Sequence, residues 1–69
     1  MPKPKTTGEK IRERREELGM TQEELADQIG ISKNMLRYYE LDQHEAKFFT
    51  MTCIADVLDL SLDYLAGRK

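Results

Sequence analysis

Apolar residues recur along this chain at helical spacing, in short runs closed by glycine or by clusters of polar residues. The clearest pair of runs spans residues 22–41. Thr21 is placed to cap a helix, with Glu24 completing a capping box and Met20 and Leu25 forming a hydrophobic staple across it. Leu25, Ala26 and Ile29 then fall on one face, and Gly30 supplies a residue able to take positive φ and stop the helix. A second helix follows at once over residues 33–40, capped by Ser32 and stapled by Ile31 and Leu36. So short a connection forces the two helices to cross steeply, and small Ala26 lets the second pass close to the first. Leu25, Ile29, Ile31 and Leu36 fill the wedge between them. Lys33, Asn34, Arg37 and Tyr38 are left pointing outward.

The same signals predict three more helices. A capping box from Thr6 to Glu9 opens the first, whose core face is Ile11 and Leu18 flanked by the aliphatic stems of Arg14 and Arg15, and Gly19 ends it. After a loop over residues 41–47, a fourth helix places Phe48, Met51, Ile54, Ala55 and Leu58 on one face. The fifth runs from the Ser61 cap, stapled by Leu60 and Leu65, to Gly67. A second apolar stripe on the fourth helix, Phe49, Cys53 and Val57, lies away from that face, with Leu41 upstream in the loop. Exposed together these four residues would make a patch that calls for a partner; the alternative, open for Val57 in particular, is the domain's own core against helix five. No strand-like alternation or repeat occurs, so the fold class expected is all-α with five helices. Residues 1–5 are too rich in proline and lysine to fold alone, and residues 1–6 are expected to form a flexible basic arm ahead of a domain at 7–67.

Composition bounds this picture. A chain of 69 residues with 39% hydrophobic positions makes one small core, so caps and helix packing carry much of the stability. There is no apolar run of membrane-spanning length and no secretion signal, and the chain reads as cytoplasmic. One cysteine and one histidine give no internal disulfide and no protein-only zinc site; neither cofactor nor metal is expected. The pair Cys53 and His44 has no third residue to complete a catalytic arrangement, so an enzyme reading lacks support. Thirteen acidic residues against 11 basic ones give a net charge of −2, where a nucleic-acid-binding domain is more often basic. Distribution answers this objection. Lys3, Lys5, Lys10, Arg12, Arg14 and Arg15 face only Glu9 and Glu13 within the first fifteen residues, and Lys33 and Arg37 face no acid at 30–39. The predicted molecule has a basic face and an acidic back.

Lys33, Asn34, Arg37 and Tyr38 are donors or planar groups suited to base edges and phosphates. The pattern over roughly residues 7–67 resembles the phage repressor and Cro-type (xenobiotic-response-element-type) helix-turn-helix family. The residues that carry the resemblance are Ile11 to Arg15 before Gly19, Thr21 to Ala26, Gly30 to Ser32, Tyr39 with Glu40, Ile54 to Leu58, and Leu60 to Leu65. It implies a five-helix lambda-repressor-like domain with its motif at 22–41 and its third helix in the major groove of double-stranded DNA. Lys33, Asn34, Arg37 and Tyr38 would then contact bases, and Gln22 and Ser32 phosphate, joined by Lys3 and Lys5 of the arm. Arg15 and Glu40 resemble a structural ion pair between helices one and three. A homodimer on an inverted-repeat operator is also implied, with Phe49 as interface anchor beside Leu41, Cys53 and Val57, and the function is that of a transcriptional regulator, a repressor. The competing reading is a protein-interaction module such as an antitoxin or anti-repressor component, which the acidic balance and a weakly basic loop also suit. Two residues depart from the family pattern, Asp42 where glycine is frequent and Ala46 where proline is, so the loop is expected to be shaped differently; with at most His44 before Lys47 as a basic group, it is also expected to hold phosphate less well. His44 is expected to be a solvent-exposed loop residue.

Overall fold

Five helices follow in the order α1 (Thr7–Glu17), α2 (Gln22–Ile29), α3 (Lys33–Glu40), α4 (Phe48–Leu58) and α5 (Leu62–Ala66), in a computed structural model that describes residues 3–67. Met1 and Pro2 of the expected arm lie outside the described residues. Four of the five helices begin where a side chain satisfies a free backbone amide. Thr6 with Glu9 and Thr21 with Glu24 close capping boxes at α1 and α2, while the Ser32 and Ser61 hydroxyls accept from the amides of Met35 and Tyr64. At the other ends, Gly30 (φ 74°) and Gly67 (φ 75°) take the left-handed conformation. Only α4 starts without a side-chain cap, at Lys47.

Every helix sends apolar groups into one core. Ile11, Leu25, Leu36, Ile54, Leu58 and Leu65 are fully buried, with Ala26 and Ala55 between them. Met20, Ile29, Ile31, Tyr39, Met51, Val57 and Leu60 pack around that centre. Helix α1 also terminates the two helices most distant in sequence. Arg14 Nε donates to the Leu58 carbonyl at 2.9 Å, Lys10 Nζ to that of Tyr64 at 2.7 Å, and the Thr7 hydroxyl to that of Leu65 at 2.8 Å. The last carbonyls of α4 and α5 thus gain donors, two of them cationic and favoured at a helix C-terminus.

Two expected core residues are outside. Leu18 is 43% exposed: it caps the end of α1, its amide still bonded to the Arg14 carbonyl, and the chain turns away at Gly19 (φ 70°), so no further turn of α1 follows to pack it inward. Phe48 is 72% exposed. It is the first residue of α4, and a helical side chain leans towards the helix N-terminus, where no preceding turn of α4 lies beneath it.

Helices α1 and α3 meet backbone to backbone. A Cβ on Gly8 would lie 2.4 Å from the Glu40 carbonyl oxygen and 2.6 Å from that of Tyr39, so only glycine permits the approach. The loop after α3 is tied to the same place. Asp42 adopts the left-handed conformation (φ 58°), which glycine takes more readily. Its carboxylate accepts from the Thr6 hydroxyl and, at 2.9 Å, from the Gly8 amide, and so offsets the cost of the backbone conformation.

Candidate nucleic-acid interface

The outer face of α3 is held from behind. Leu36 is buried among the core side chains, and Glu40, also buried, receives Arg15 Nε at 2.7 Å and Nη2 at 3.2 Å. Arg15 spends a further donor on the Met20 carbonyl at 2.7 Å, and Gln22 Nε2 donates to the same Glu40 carboxylate at 3.1 Å. Helices α1, α2 and α3 therefore share one charged junction. Among the described residues no buried side-chain nitrogen or oxygen lacks a partner, which is the condition for a buried ion pair to be tolerated.

In front, Lys33, Asn34, Arg37 and Tyr38 are all exposed on one face, with Met35 at its margin. Asn34, Arg37 and Tyr38 line a shallow groove together with Leu41 and Gln43. Arg37 also borders a second groove, shared with Arg12, Gln22 and the Arg15–Glu40 pair. Arg12, read from the sequence only as charge on α1, thus stands beside the α2 N-terminus and the outer face of α3. It carries a loose ion pair to Glu16 at 3.6 Å, with both partners largely exposed. Ser32 accepts from the Met35 amide, so its own proton is free to be donated outward.

The remaining expected site residues divide. Lys3 is exposed, whereas Lys5 pairs with Glu13 on α1, and that hydrogen bond raises the Lys5 pKa above its ordinary value. Phe49 is 78% exposed and Cys53 half-buried on α4. Val57 packs against the domain's own core, so of the two readings open for it the structure takes the internal one. Leu41, half-exposed, lies in the grooves beside Arg37 and Glu40, and so belongs to the margin of the α3 face. His44 contacts Tyr38: the two rings meet edge to face with centroids 5.3 Å apart. No group of three His, Cys, Asp or Glu residues placed to hold a metal ion occurs among the described residues. Nor is any described helix long and apolar enough to cross a membrane.

Two helices joined through a left-handed glycine, the second presenting a polar outer face, define a helix-turn-helix protein. The chain belongs to the helix-turn-helix family, which it matches over residues 11–65. It is 37% identical over 57 residues to YqaE of Bacillus subtilis (strain 168), named as an uncharacterized HTH-type transcriptional regulator, covering 83% of this chain and 49% of that protein. To RstR of Vibrio cholerae serotype O1 (strain ATCC 39315 / El Tor Inaba N16961), the cryptic phage CTXphi transcriptional repressor, it is 35% identical over 60 residues, 87% of this chain and 54% of that one. The chain therefore spans about half the length of these relatives. Among solved structures, the P22 c2 repressor crystallised with a synthetic operator superimposes with a TM-score of 0.86 at 29% identity, covering 90% of this chain and 94% of that one. The five-helix lambda-repressor-like fold is the fold of this chain.

Proposed function

We propose that this domain binds double-stranded DNA sequence-specifically in the cytoplasm and represses transcription, as a homodimer on an inverted-repeat operator. One observation carries the reading: four exposed side chains able to meet bases, Lys33, Asn34, Arg37 and Tyr38, share the outer face of a helix whose inner face is locked by Leu36 and the Arg15–Glu40 pair. A rigid helix of this width fits the major groove, and locked side-chain origins are what base discrimination requires. Lys33 donates to guanine O6 or N7, Asn34 pairs with adenine, Tyr38 meets a thymine methyl or a phosphate, and Arg37 serves base or backbone. Ser32 and Gln22 hold phosphate, Gln22 through the amide proton that Glu40 leaves unused. Lys3 and Lys5 add contacts from the arm, Lys5 after exchanging Glu13 for a phosphate. The operator-bound P22 c2 repressor and the repressor RstR support the reading by likeness.

The homodimer rests on exposed apolar surface. Phe48 and Phe49 stand side by side in the first turn of α4, both more than two-thirds exposed, with Cys53 one turn beyond Phe49. Burying such a pair across a two-fold axis uses each ring twice, and it would set the two copies of α3 about 34 Å apart, one DNA turn. The same pair is what favours the second reading, a module that binds another protein.

Selection of random duplexes by the purified protein at two salt concentrations tests the whole. The expected product is an inverted repeat whose affinity falls steeply with salt. Asn34→Ala should lose preference at one position of each half-site, by about 1–3 kcal/mol. A selection that enriches nothing, or an Asn34→Ala protein that is weaker on every sequence alike, would mean that α3 does not read bases.

A further inference from the structure

We propose that His44 is a positioning residue for base reading: the loop after α3 folds back so that its imidazole fixes the Tyr38 ring in the orientation that meets DNA. This rests on the reading that α3 enters the groove, and deepens it. The two rings are 5.3 Å apart between centroids with an interplanar angle of 76°, the edge-to-face arrangement that aromatic pairs favour. Tyr38 itself is 41% exposed. An exposed tyrosine on a helix has alternative χ1 rotamers, and each one left open blurs the contact it makes with a base.

The contact is built by the backbone and does not depend on the two rings alone. The Gln43 amide donates to the Tyr38 carbonyl at 2.9 Å and the Asp42 amide to that of Tyr39 at 3.1 Å, which turns the loop back over the last turn of α3. Asp42 makes that reversal through its left-handed conformation, and its carboxylate is fastened to Thr6 and Gly8 at the start of α1. Hydrogen bonds therefore fasten Asp42 to α1, the backbone carries that anchor on to His44, and the His44 ring meets the Tyr38 ring edge to face. It bears on a side chain that shares its groove with Asn34 and Arg37. The left-handed aspartate thereby becomes part of the reading surface's support, and His44, the chain's one histidine, gains a role that needs its ring and not its charge.

Base preference by duplex selection, measured for the wild type, Tyr38→Ala, His44→Ala, His44→Phe and Asn34→Ala, tests the inference. Tyr38→Ala identifies the operator position that Tyr38 reads. His44→Ala should lower discrimination at that same position by about 2- to 10-fold, the scale of one aromatic pair, and leave the Asn34 position unchanged. His44→Phe, which keeps the ring and removes the imidazole, should restore it. The inference is overturned if His44→Ala leaves the Tyr38 position intact, if it weakens all positions equally as loss of a phosphate contact would, or if phenylalanine fails to rescue. It is also overturned if Tyr38→Ala alters no position. Asn34→Ala separates the two levels: a shifted position there with an unmoved Tyr38 position sinks the His44 role alone, while no shift in any variant sinks the DNA reading with it.

Discussion

Gly8→Ala turns the close approach of α1 and α3 into a measurement. At an unstrained helical position the change would stabilise by about 0.4–1 kcal/mol, through lower entropy of the unfolded chain and better helix propensity. Here the added methyl would lie 2.4 Å from the Glu40 carbonyl oxygen, 2.6 Å from the Tyr39 oxygen and 2.8 Å from the Glu40 carbonyl carbon. All three are backbone atoms of α3, so no side chain can swing aside. Restoring ordinary contact means moving α1 and α3 apart by roughly 1 Å, which strains the Gly8–Asp42 hydrogen bond and loosens the layer around Ile11 and Leu36. Overpacking of this kind costs about 1–3 kcal/mol. Set against the propensity gain, the net is a destabilisation of about 1–2 kcal/mol, a Tm lower by roughly 5–15 °C for a domain of this size. Thermal and urea melts followed by circular dichroism at equal protein concentration give the answer. The sign is what matters: a Tm equal to or above that of the wild type would mean that α1 and α3 do not approach as closely as described, and the account of Asp42 and His44 built on that approach would go with it.

Glu40→Gln leaves Arg15 buried beside a neutral amide and should cost about 3–5 kcal/mol, most of the stability of so small a domain. An Arg15→Met, Glu40→Leu double variant should regain much of it, and urea melts showing the double variant no more stable than the single would contradict a buried pair. Phe49→Asp should abolish self-association in sedimentation, since each buried ring contributes roughly 1.5–3 kcal/mol; retained dimers would return Phe49 to the role of an isolated surface residue. The Glu24 carboxylate accepts from the Thr21 amide, which holds its pKa below the ordinary 4.5. A carboxylate depressed on folding adds stability that is present above its unfolded pKa and lost as pH falls through the folded one. Glu24→Gln should therefore flatten the acid side of a stability–pH profile, and an unchanged profile would remove the capping box from the stability of α2.

What could be read from the sequence was what neighbours in the chain decide. Thr6, Thr21, Ser32 and Ser61 announce their helices because a cap bonds to an amide three residues away, and Leu25, Ala26, Leu36 and Ile54 announce the core because helical period carries them there. The period misled at helix termini, at Leu18 just past the end of α1 and at Phe48, the first residue of α4. Contacts between distant segments left no such mark. Gly8 sits in an ordinary-looking first turn, and its need is set by the carbonyl of Glu40. Asp42 reads as a poor substitute for glycine until Thr6 and the Gly8 amide are seen against its carboxylate. Arg12 and His44 enter the picture in the same way, Arg12 by the crossing of α1 over α3, His44 by the loop's reversal. The outward four, Lys33, Asn34, Arg37 and Tyr38, were legible because assigning the inward face leaves them over.

The bonds from α1 to the ends of α4 and α5 set the order in which a newly made chain can finish folding. Thr7 is joined to Leu65 across 58 residues and Lys10 to Tyr64 across 54. The α2–α3 pair can form early from local contacts, but α1 waits for partners that the ribosome makes dozens of residues later. Until Leu65 has emerged, Ile11 lacks part of its cover and the carbonyls that Thr7 and Lys10 bind do not yet exist. A nascent chain stalled after Leu58 would lack the bonds that fasten α1 to α5, and would be open to proteases along α1.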